Sequence, residues 1–137
     1  MSVQRTEVVV RPTDIDVLGH VNNARYLEYL EWGRVQWYRS HSNLLSSTDI
    51  SFAVVSIHIN YRREVKMEDR LTVLTGLVRL GNSSMTFRQE IVNEAGQLVA
   101  DADVVAVLFH TRQRKSVPIP DALRTQLEGL LVESLTA

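Results

Sequence analysis

The stretch that decides the fold runs from Asp14 to Tyr38 and reads DIDVLGHVNNARYLEYLEWGRVQWY. From Asn23 onward, apolar side chains recur every three or four residues, and this spacing predicts one long helix. Asn22 and Asn23 are both good N-cap candidates, because a short side-chain oxygen can accept a hydrogen bond from a free N–H of the first turn. The helix is apolar around much of its circumference, so we expect the rest of the chain to bury most of its sides.

Two acids and a histidine, Asp14, Asp16 and His20, precede this helix. The first N–H groups of a helix are unpaired and carry roughly half a positive charge, so they attract anions and stabilise a developing oxyanion. A carboxylate held beside them can act as a base or a nucleophile. The same residues also allow a structural interpretation, with both acids as loop or cap residues and His20 as a packed histidine. Both interpretations stay open at this point.

Length and composition exclude several classes of protein. The 137 residues suffice for one core, and we expect a single domain over residues 1–137. The 15 basic and 16 acidic residues give a formal charge of −1, which does not favour binding to nucleic acid or an anionic membrane. The absence of cysteine excludes disulfides and a cysteine nucleophile. Without a secretory signal or an apolar run of ~20 residues, a soluble cytoplasmic protein is expected.

After a polar loop predicted at residues 40–49, the apolar period changes to two, which predicts strands. Together with a first strand near the N-terminus, the predicted strands are Val8–Val10, Ser51–Arg62, Leu71–Leu80, Met85–Val92 and Leu98–Phe109. In the second of these strands, the side chains that face one way are Val55, Ile57, Ile59 and Tyr61. The basic residues 111–116 are predicted to leave the sheet, and Asp121 is predicted to cap a last helix.

Short turns between consecutive strands predict antiparallel neighbours. Such a sheet must bury one face, and the long helix is the only large apolar partner available to it. We therefore predict an antiparallel sheet curled around the central helix. A long strand at the edge of a sheet exposes unpaired N–H and C=O groups, so self-association through that edge is expected.

Two runs of residues resemble a known family. Asp16–Glu28 (DVLGHVNNARYLE) is similar to the signature of hotdog-fold acyl-CoA thioesterases of the 4-hydroxybenzoyl-CoA thioesterase type. Phe52–Arg63 (FAVVSIHINYRR) is similar to the matching segment of bacterial long-chain acyl-CoA thioesterases in that family. The resemblance covers most of the chain and implies an α+β hotdog fold, in which an antiparallel sheet of about five to six strands wraps around a long helix.

The resemblance also implies an activity, the hydrolysis of an acyl-CoA thioester to a free fatty or aromatic acid and CoA, with no cofactor. The second acid of the family's loop is the catalytic carboxylate, which corresponds here to Asp16, as base or nucleophile. The main-chain N–H that polarises the carbonyl falls on Asn23. His20 is a third candidate, which would orient Asp16 or a water molecule, although a hydrogen bond that fixes the loop is an equal alternative.

Substrate contacts are predicted at two places. An acyl slot is expected near the helix, with Tyr26, Phe52, Val54 and Val55 as candidates that could equally be ordinary core residues. Arg62 and Arg63 are candidates for holding the phosphates of CoA, with salt-bridged or solvated arginines as the alternative. The scattered histidines make a metal site unexpected. In the family, acyl-CoA sites lie at subunit contacts within dimers or dimers of dimers, so a homo-oligomer, up to a homotetramer, is expected.

Two other functions fit the same fold. A hydratase or dehydratase would act on the α and β carbons of an acyl thioester, and it too would place an acid or histidine near the helix start. A non-catalytic acyl-thioester binding protein would need no acid there. The position of Asp16, seven residues ahead of Asn23, favours the thioesterase over the hydratase, and the retained acid argues against the binding protein.

Overall fold

A computed structural model describes residues 2–41, 44 and 49–135. In chain order, the elements are β1 (Gln4–Val9), a 3-10 turn (Pro12–Asp14), α1 (Asn23–Ser40), β2 (Ile50–Tyr61), β3 (Arg70–Leu80), β4 (Ser84–Asn93), β5 (Leu98–His110), β6 (Lys115–Ser116) and α2 (Asp121–Glu128). Residues 42, 43 and 45–48 of the predicted loop between α1 and β2 lie outside the described residues. Neither described helix is long and apolar enough to cross a bilayer.

The strands form one six-stranded sheet in the order β1-β3-β4-β5-β2, with β6 paired to β5, and every pair is antiparallel. The predicted hotdog architecture is confirmed. The prediction that all consecutive strands are neighbours is wrong for β2 and β3, because the segment between them crosses to the other side of the sheet. This crossing is fixed by main-chain bonds from Val21 N to Val65 O at 3.0 Å and from Val10 N to Asp69 O at 3.0 Å.

Helix α1 packs closely against the middle of the sheet. A Cβ atom added at Gly33 would lie 2.7 Å from Val73 Cγ1 and 2.8 Å from Thr75 Oγ1, so only glycine allows this approach. The buried side of α1 consists of Tyr26, Tyr29, Leu30, Gly33, Arg34 and Trp37. Leu27 and Trp32 are 37% and 45% exposed. The expectation that most sides of the helix are buried is therefore wrong for this chain alone, because the sheet covers one side and leaves the other open.

Strand β2 forms one edge of the sheet and contains a bulge. Val54 pairs with Ala106 and Ser56 with Val105, so Val55 is an extra residue in the ladder. A bulge changes the face on which the following residues lie. The apolar residues before and after the bulge therefore share the helix side, in the row Phe52, Val54, Ile57, Ile59 and Tyr61. The prediction that Val55 belongs to this row is wrong, because it occupies the bulge.

The C-terminal part of the chain differs from the prediction in two details. Residues 111–116 do not leave the sheet, because a turn closed by Arg114 N and His110 O at 2.8 Å brings Ser116 opposite Phe109. Asp121 is the first residue of α2, and the N-cap position belongs to Pro120, whose side chain cannot accept a hydrogen bond. The last helix itself is confirmed.

Candidate active site

The loop before α1 is a small hairpin. Ile15 and Val21 form an antiparallel bridge, and Asp16 N donates to His20 O at 3.0 Å. Gly19 N donates to Asp16 O at 3.1 Å, and Gly19 has a φ of 87°. A three-residue hairpin loop that ends in a left-handed residue is a common turn, and glycine is the residue that adopts this φ without strain. The glycine therefore sets the geometry between Asp16 and His20.

The hairpin places Asp16 and His20 side by side. Residues directly opposite each other in an antiparallel pair point to the same face, and the neighbouring pair points to the other face. Because Val21 is 3% exposed and Ile15 packs against the core, Asp16 and His20 face away from the core. Asp16 Oδ1 accepts a hydrogen bond from Leu18 N at 2.9 Å. Its Oδ2 atom has no hydrogen-bond partner within residues 2–41, 44 and 49–135, so it remains available for chemistry.

The start of α1 leaves one N–H free. Asn22, one of the two predicted candidates, is the N-cap, and its side-chain oxygen accepts from Ala24 N at 2.9 Å. Arg25 N donates to Asn22 O, also at 2.9 Å. The main-chain N–H of Asn23 has no acceptor in the described part of the chain. It is therefore the N–H of the first turn that can bind an incoming oxygen.

A cavity of about 220 Å³ is lined in part by Asn23, the residue that carries this free N–H. It is lined by His20, Val21, Asn23, Tyr26, Tyr61, Arg62, Arg63 and Glu64. Tyr61 joins its two walls, because its hydroxyl donates to Asn23 O at 3.3 Å and its ring meets the ring of Tyr26 edge-on, with centroids 5.1 Å apart. Asp16 is not in the lining, but it is bonded through its main chain to His20, which is. The end of β2 thus meets the start of α1 at this cavity.

The structure brings some of the predicted site residues together and separates others. His20, Asn23, Tyr26, Arg62 and Arg63 all line the cavity. The acyl-slot candidates of β2 lie further along the strand: Phe52 stacks on Tyr38, and Val54 and Val55 are 44% and 60% exposed. A larger cavity of about 380 Å³ lies between β1 and α1, and none of the predicted site residues lines it.

Three lining residues, Val21, Tyr61 and Glu64, were missed as site residues from the sequence. The period of β2 placed Tyr61 on the helix side, which is the only sequence signal that could have found it. Glu64 follows the arginine pair in a segment with no periodic pattern, and only the fold brings it near His20. Within the described residues, no group of histidine, aspartate and glutamate side chains could hold a metal ion.

The other loop acid, Asp14, is buried and hydrogen-bonded within the fold. It is 1% exposed and accepts hydrogen bonds from Arg11 N at 3.0 Å and from the Tyr29 hydroxyl at 2.8 Å. Burial raises the pKa of this carboxyl, but the hydrogen bonds from Arg11 and Tyr29 outweigh burial and hold it below the ordinary value. Arg11 and Arg25 lie 3.3 and 3.8 Å from Asp14 Oδ1. For Asp14, the structural interpretation of a loop acid therefore holds, with two arginines as its partners.

The two candidate CoA-binding arginines have different surroundings. Arg62 Nε donates to Asp101 Oδ2 at 2.8 Å, and Asp101, which is 2% exposed, also accepts from Asn60 Nδ2 at 3.0 Å. Arg88 lies 3.6 Å from the same carboxylate. Arg63 has no acidic partner among the residues that the structure describes. Arg63 is therefore the more available of the two cations at the cavity.

Asp101 should make the free energy of unfolding depend on pH in the acid range. Burial raises the pKa of this carboxyl, but hydrogen bonds from Arg62 and Asn60 and the charge of Arg88 bring it below its ordinary value. A lowered folded-state pKa stabilises the fold above the unfolded-state pKa, near 4, and this contribution is lost as the pH falls through the folded-state value. We expect Asp101→Asn to reduce the free energy of unfolding at pH 7 by about 2–3 kcal/mol.

Urea unfolding between pH 2.5 and 7 measures this effect. The difference between Asp101→Asn and wild type should shrink below about pH 4. Asp103→Asn is the matched control, because the Asp103 carboxylate is 50% exposed and should change the free energy of unfolding by less than about 0.5 kcal/mol. If the difference in free energy of unfolding between Asp101→Asn and wild type does not vary with pH, the ionised carboxylate of Asp101 does not stabilise the fold.

A family model, curated relatives and a solved structure all match most of this chain. The model of the Thioesterase-like superfamily matches residues 10–127. The long-chain acyl-CoA thioesterase FadM of Escherichia coli K12 is 37% identical, over 93% of this chain and 98% of its own length. The acyl-CoA thioester hydrolase YbgC of Escherichia coli O6:H1 is 26% identical, over 87% and 91% of the two chains. The structure of a predicted thioesterase from Bacillus stearothermophilus superposes with a TM-score of 0.85 at 26% identity, over 96% and 98% of the two chains.

Proposed function

The chain belongs to the thioesterase-like superfamily, and on this premise we propose that it hydrolyses acyl-CoA thioesters to a free acid and CoA. The observation that carries the proposal is the free N–H of Asn23, a residue that lines a cavity beside the hairpin of Asp16. A thioester carbonyl oxygen bound at this N–H would have the positive end of α1 against it, and its carbon would face a carboxylate.

In a direct route, Asp16 acts as a base. It accepts a proton from a water molecule as the water oxygen attacks the thioester carbon, and the carbonyl oxygen becomes an oxyanion held by Asn23 N–H. The oxyanion then reforms the carbonyl as the carbon–sulfur bond breaks. The acyl group leaves as the acid, and the sulfur leaves with the electron pair of the broken bond as the thiolate of CoA.

In a second route, Asp16 is the nucleophile. Its Oδ2 atom attacks the thioester carbon, the thiolate leaves, and a mixed anhydride joins the acyl group to the carboxylate. Water then attacks the acyl carbon, which releases the acid and restores Asp16. Both routes need the same placement of the carboxylate and the N–H, and both are compatible with the hairpin geometry.

The cavity offers binding groups at its rim. Tyr26 would contact the thioester end of the acyl group, and the apolar row of β2, with Phe52, Val54 and the neighbouring Val55, would continue the acyl slot. Arg63 would attract the phosphates of CoA as a free cation, whereas Arg62 would act mainly through its pairing with Asp101.

Removing the Arg63 charge should weaken the binding of acyl-CoA. We expect Arg63→Gln to raise KM about fivefold with kcat little changed, because a partly exposed contact between an arginine and a phosphate contributes roughly 1 kcal/mol. The increase in KM is measured with two thioesters of the same acyl group, one with CoA and one with pantetheine, which lacks the nucleotide phosphates. Arg79→Gln on the exposed side of β3 is the control. An equal KM increase with both thioesters would contradict phosphate binding by Arg63.

Self-association through β2 would complete the acyl slot. β2 is an edge strand, so one row of its main-chain groups has no strand partner among the residues that the structure describes. Three apolar side chains of this strand, Val54, Val55 and Ile57, are 37–60% exposed. A second copy paired along β2 would cover them, and two such dimers could form the tetramer that the family resemblance implies. The cytoplasm is the compartment we propose, because a chain without cysteine needs no oxidising environment.

Release of free thiol from a panel of acyl-CoAs tests the function. A thioesterase releases one CoA thiol for each acid formed, over at least one acyl chain length or aromatic acyl group. A hydratase would add water to an unsaturated acyl-CoA without releasing thiol, and a binding protein would bind the acyl-CoA unchanged. Thiol release by the wild-type chain supports hydrolysis, and hydration or binding without thiol release would replace it with one of these alternatives.

A further inference from the structure

A carboxylate other than Asp16 lines the cavity, and it lies outside the loop that carries Asp16. Glu64 follows the end of β2 and lines the cavity together with His20. Its Oε1 atom lies 3.7 Å from Nε2 of His20. The glutamate is largely exposed, and no ion pair of Glu64 other than this one occurs among the described residues. The fold thus brings a carboxylate to a histidine that is far from it in the sequence.

His20 is held from its other side by the hairpin. Its carbonyl accepts the hydrogen bond of Asp16 N, and its side chain shares a face with the Asp16 side chain. The imidazole therefore has Asp16 as its neighbour in the hairpin and Glu64 as its neighbour across the cavity. The two cations in the cavity lining are Arg62, which is paired with Asp101, and Arg63.

We propose that His20 is a catalytic residue that gives a proton to the departing sulfur, and that Glu64 is a positioning residue that holds the imidazole at the cavity. The proposal rests on the proposed thioesterase function. Histidine is the side chain that both gives and takes a proton most readily near neutral pH. A carboxylate that orients such a histidine is a recurrent arrangement in hydrolases.

The proton transfer balances in both routes. As the carbon–sulfur bond breaks, its electron pair goes to sulfur, and the protonated His20 gives that sulfur its proton, which leaves a neutral imidazole. In the direct route, Asp16 then passes to His20 the proton that it took from water. In the anhydride route, His20 instead takes the proton of the water that attacks the anhydride. His20 is protonated again at the end of either cycle, and Asp16 is ionised.

The nature of the leaving thiol provides the test. Glu64→Gln keeps the size of the side chain and removes its charge, and the side chain is exposed, so the fold should be unaffected. With acyl-CoA, we expect kcat to fall about tenfold and KM to change by less than about twofold. With the 4-nitrothiophenol ester of the same acid, whose thiolate leaves without a proton, we expect the rate to fall by less than about twofold.

Two further variants complete the test. His20→Asn should show the same dependence on the leaving thiol with a larger loss on acyl-CoA, about 100-fold. Glu94→Gln in the turn between β4 and β5 is the matched control, and it should leave both rates unchanged. Wild-type rates in Glu64→Gln, or an equal loss on both thioesters, would overturn the proposal. Absence of thiol release by the wild type would overturn the thioesterase function itself, so the two failures are distinguishable.

Discussion

Asp16→Asn should lower kcat/KM for acyl-CoA hydrolysis by at least about 1,000-fold while the fold stays intact. An amide can neither accept the proton of water nor attack a thioester carbon at a useful rate. Its oxygen can still accept the hydrogen bond from Leu18 N, so the hairpin geometry should be retained. Thiol release measures the activity, and thermal unfolding followed by circular dichroism measures the fold.

The control for Asp16→Asn is Asp103→Asn, which removes an exposed carboxylate from the sheet, away from the hairpin. It should keep wild-type activity. Full activity in Asp16→Asn would remove this carboxylate from the mechanism, whatever the rate of the wild type. A loss of activity together with a lower unfolding temperature would mean that Asp16 serves the fold.

Asp14→Ala should show the opposite pattern, with a loss of stability and little loss of activity per folded molecule. The substitution leaves the buried Tyr29 hydroxyl and the Arg11 N–H without their acceptor. Each unsatisfied group costs about 1–3 kcal/mol, so the free energy of unfolding should fall by about 3 kcal/mol. Urea unfolding measures the loss, and thiol release corrected for the folded fraction measures the activity.

Tyr29→Phe isolates the hydrogen bond between Tyr29 and Asp14. It removes only the hydroxyl and should cost about 1 kcal/mol, and the double variant should cost less than the sum of the two single variants, because both remove the same hydrogen bond. An Asp14→Ala variant that is as stable as wild type but inactive would assign the chemistry to Asp14 instead of Asp16.

The local features of the site could be predicted from the sequence because each depends on neighbouring residues. Asn22 caps α1 through a bond that spans two residues, and helix capping follows from side-chain type alone. The family resemblance implied that the N–H that polarises the carbonyl is that of Asn23. The long helix and the alternating strands followed from their periods.

The non-local features could not be predicted in this way. The bulge at Val55 depends on pairing with β5, and the strand order depends on the crossing between β2 and β3. The sequence left Arg62 open between a phosphate-binding and a salt-bridged arginine, because its partner Asp101 lies on another strand. Glu64 gave no signal, because its neighbour His20 is brought near it only by the fold. In each case the deciding partner is distant in the chain.

A crystal structure of the Asp16→Asn variant with an intact acyl-CoA tests the placement of the substrate most directly. We expect the thioester oxygen to lie within about 3.2 Å of the main-chain nitrogen of Asn23, with the thioester carbon facing the side chain of residue 16. A thioester bound elsewhere, with its oxygen remote from the first turn of α1, would contradict the account.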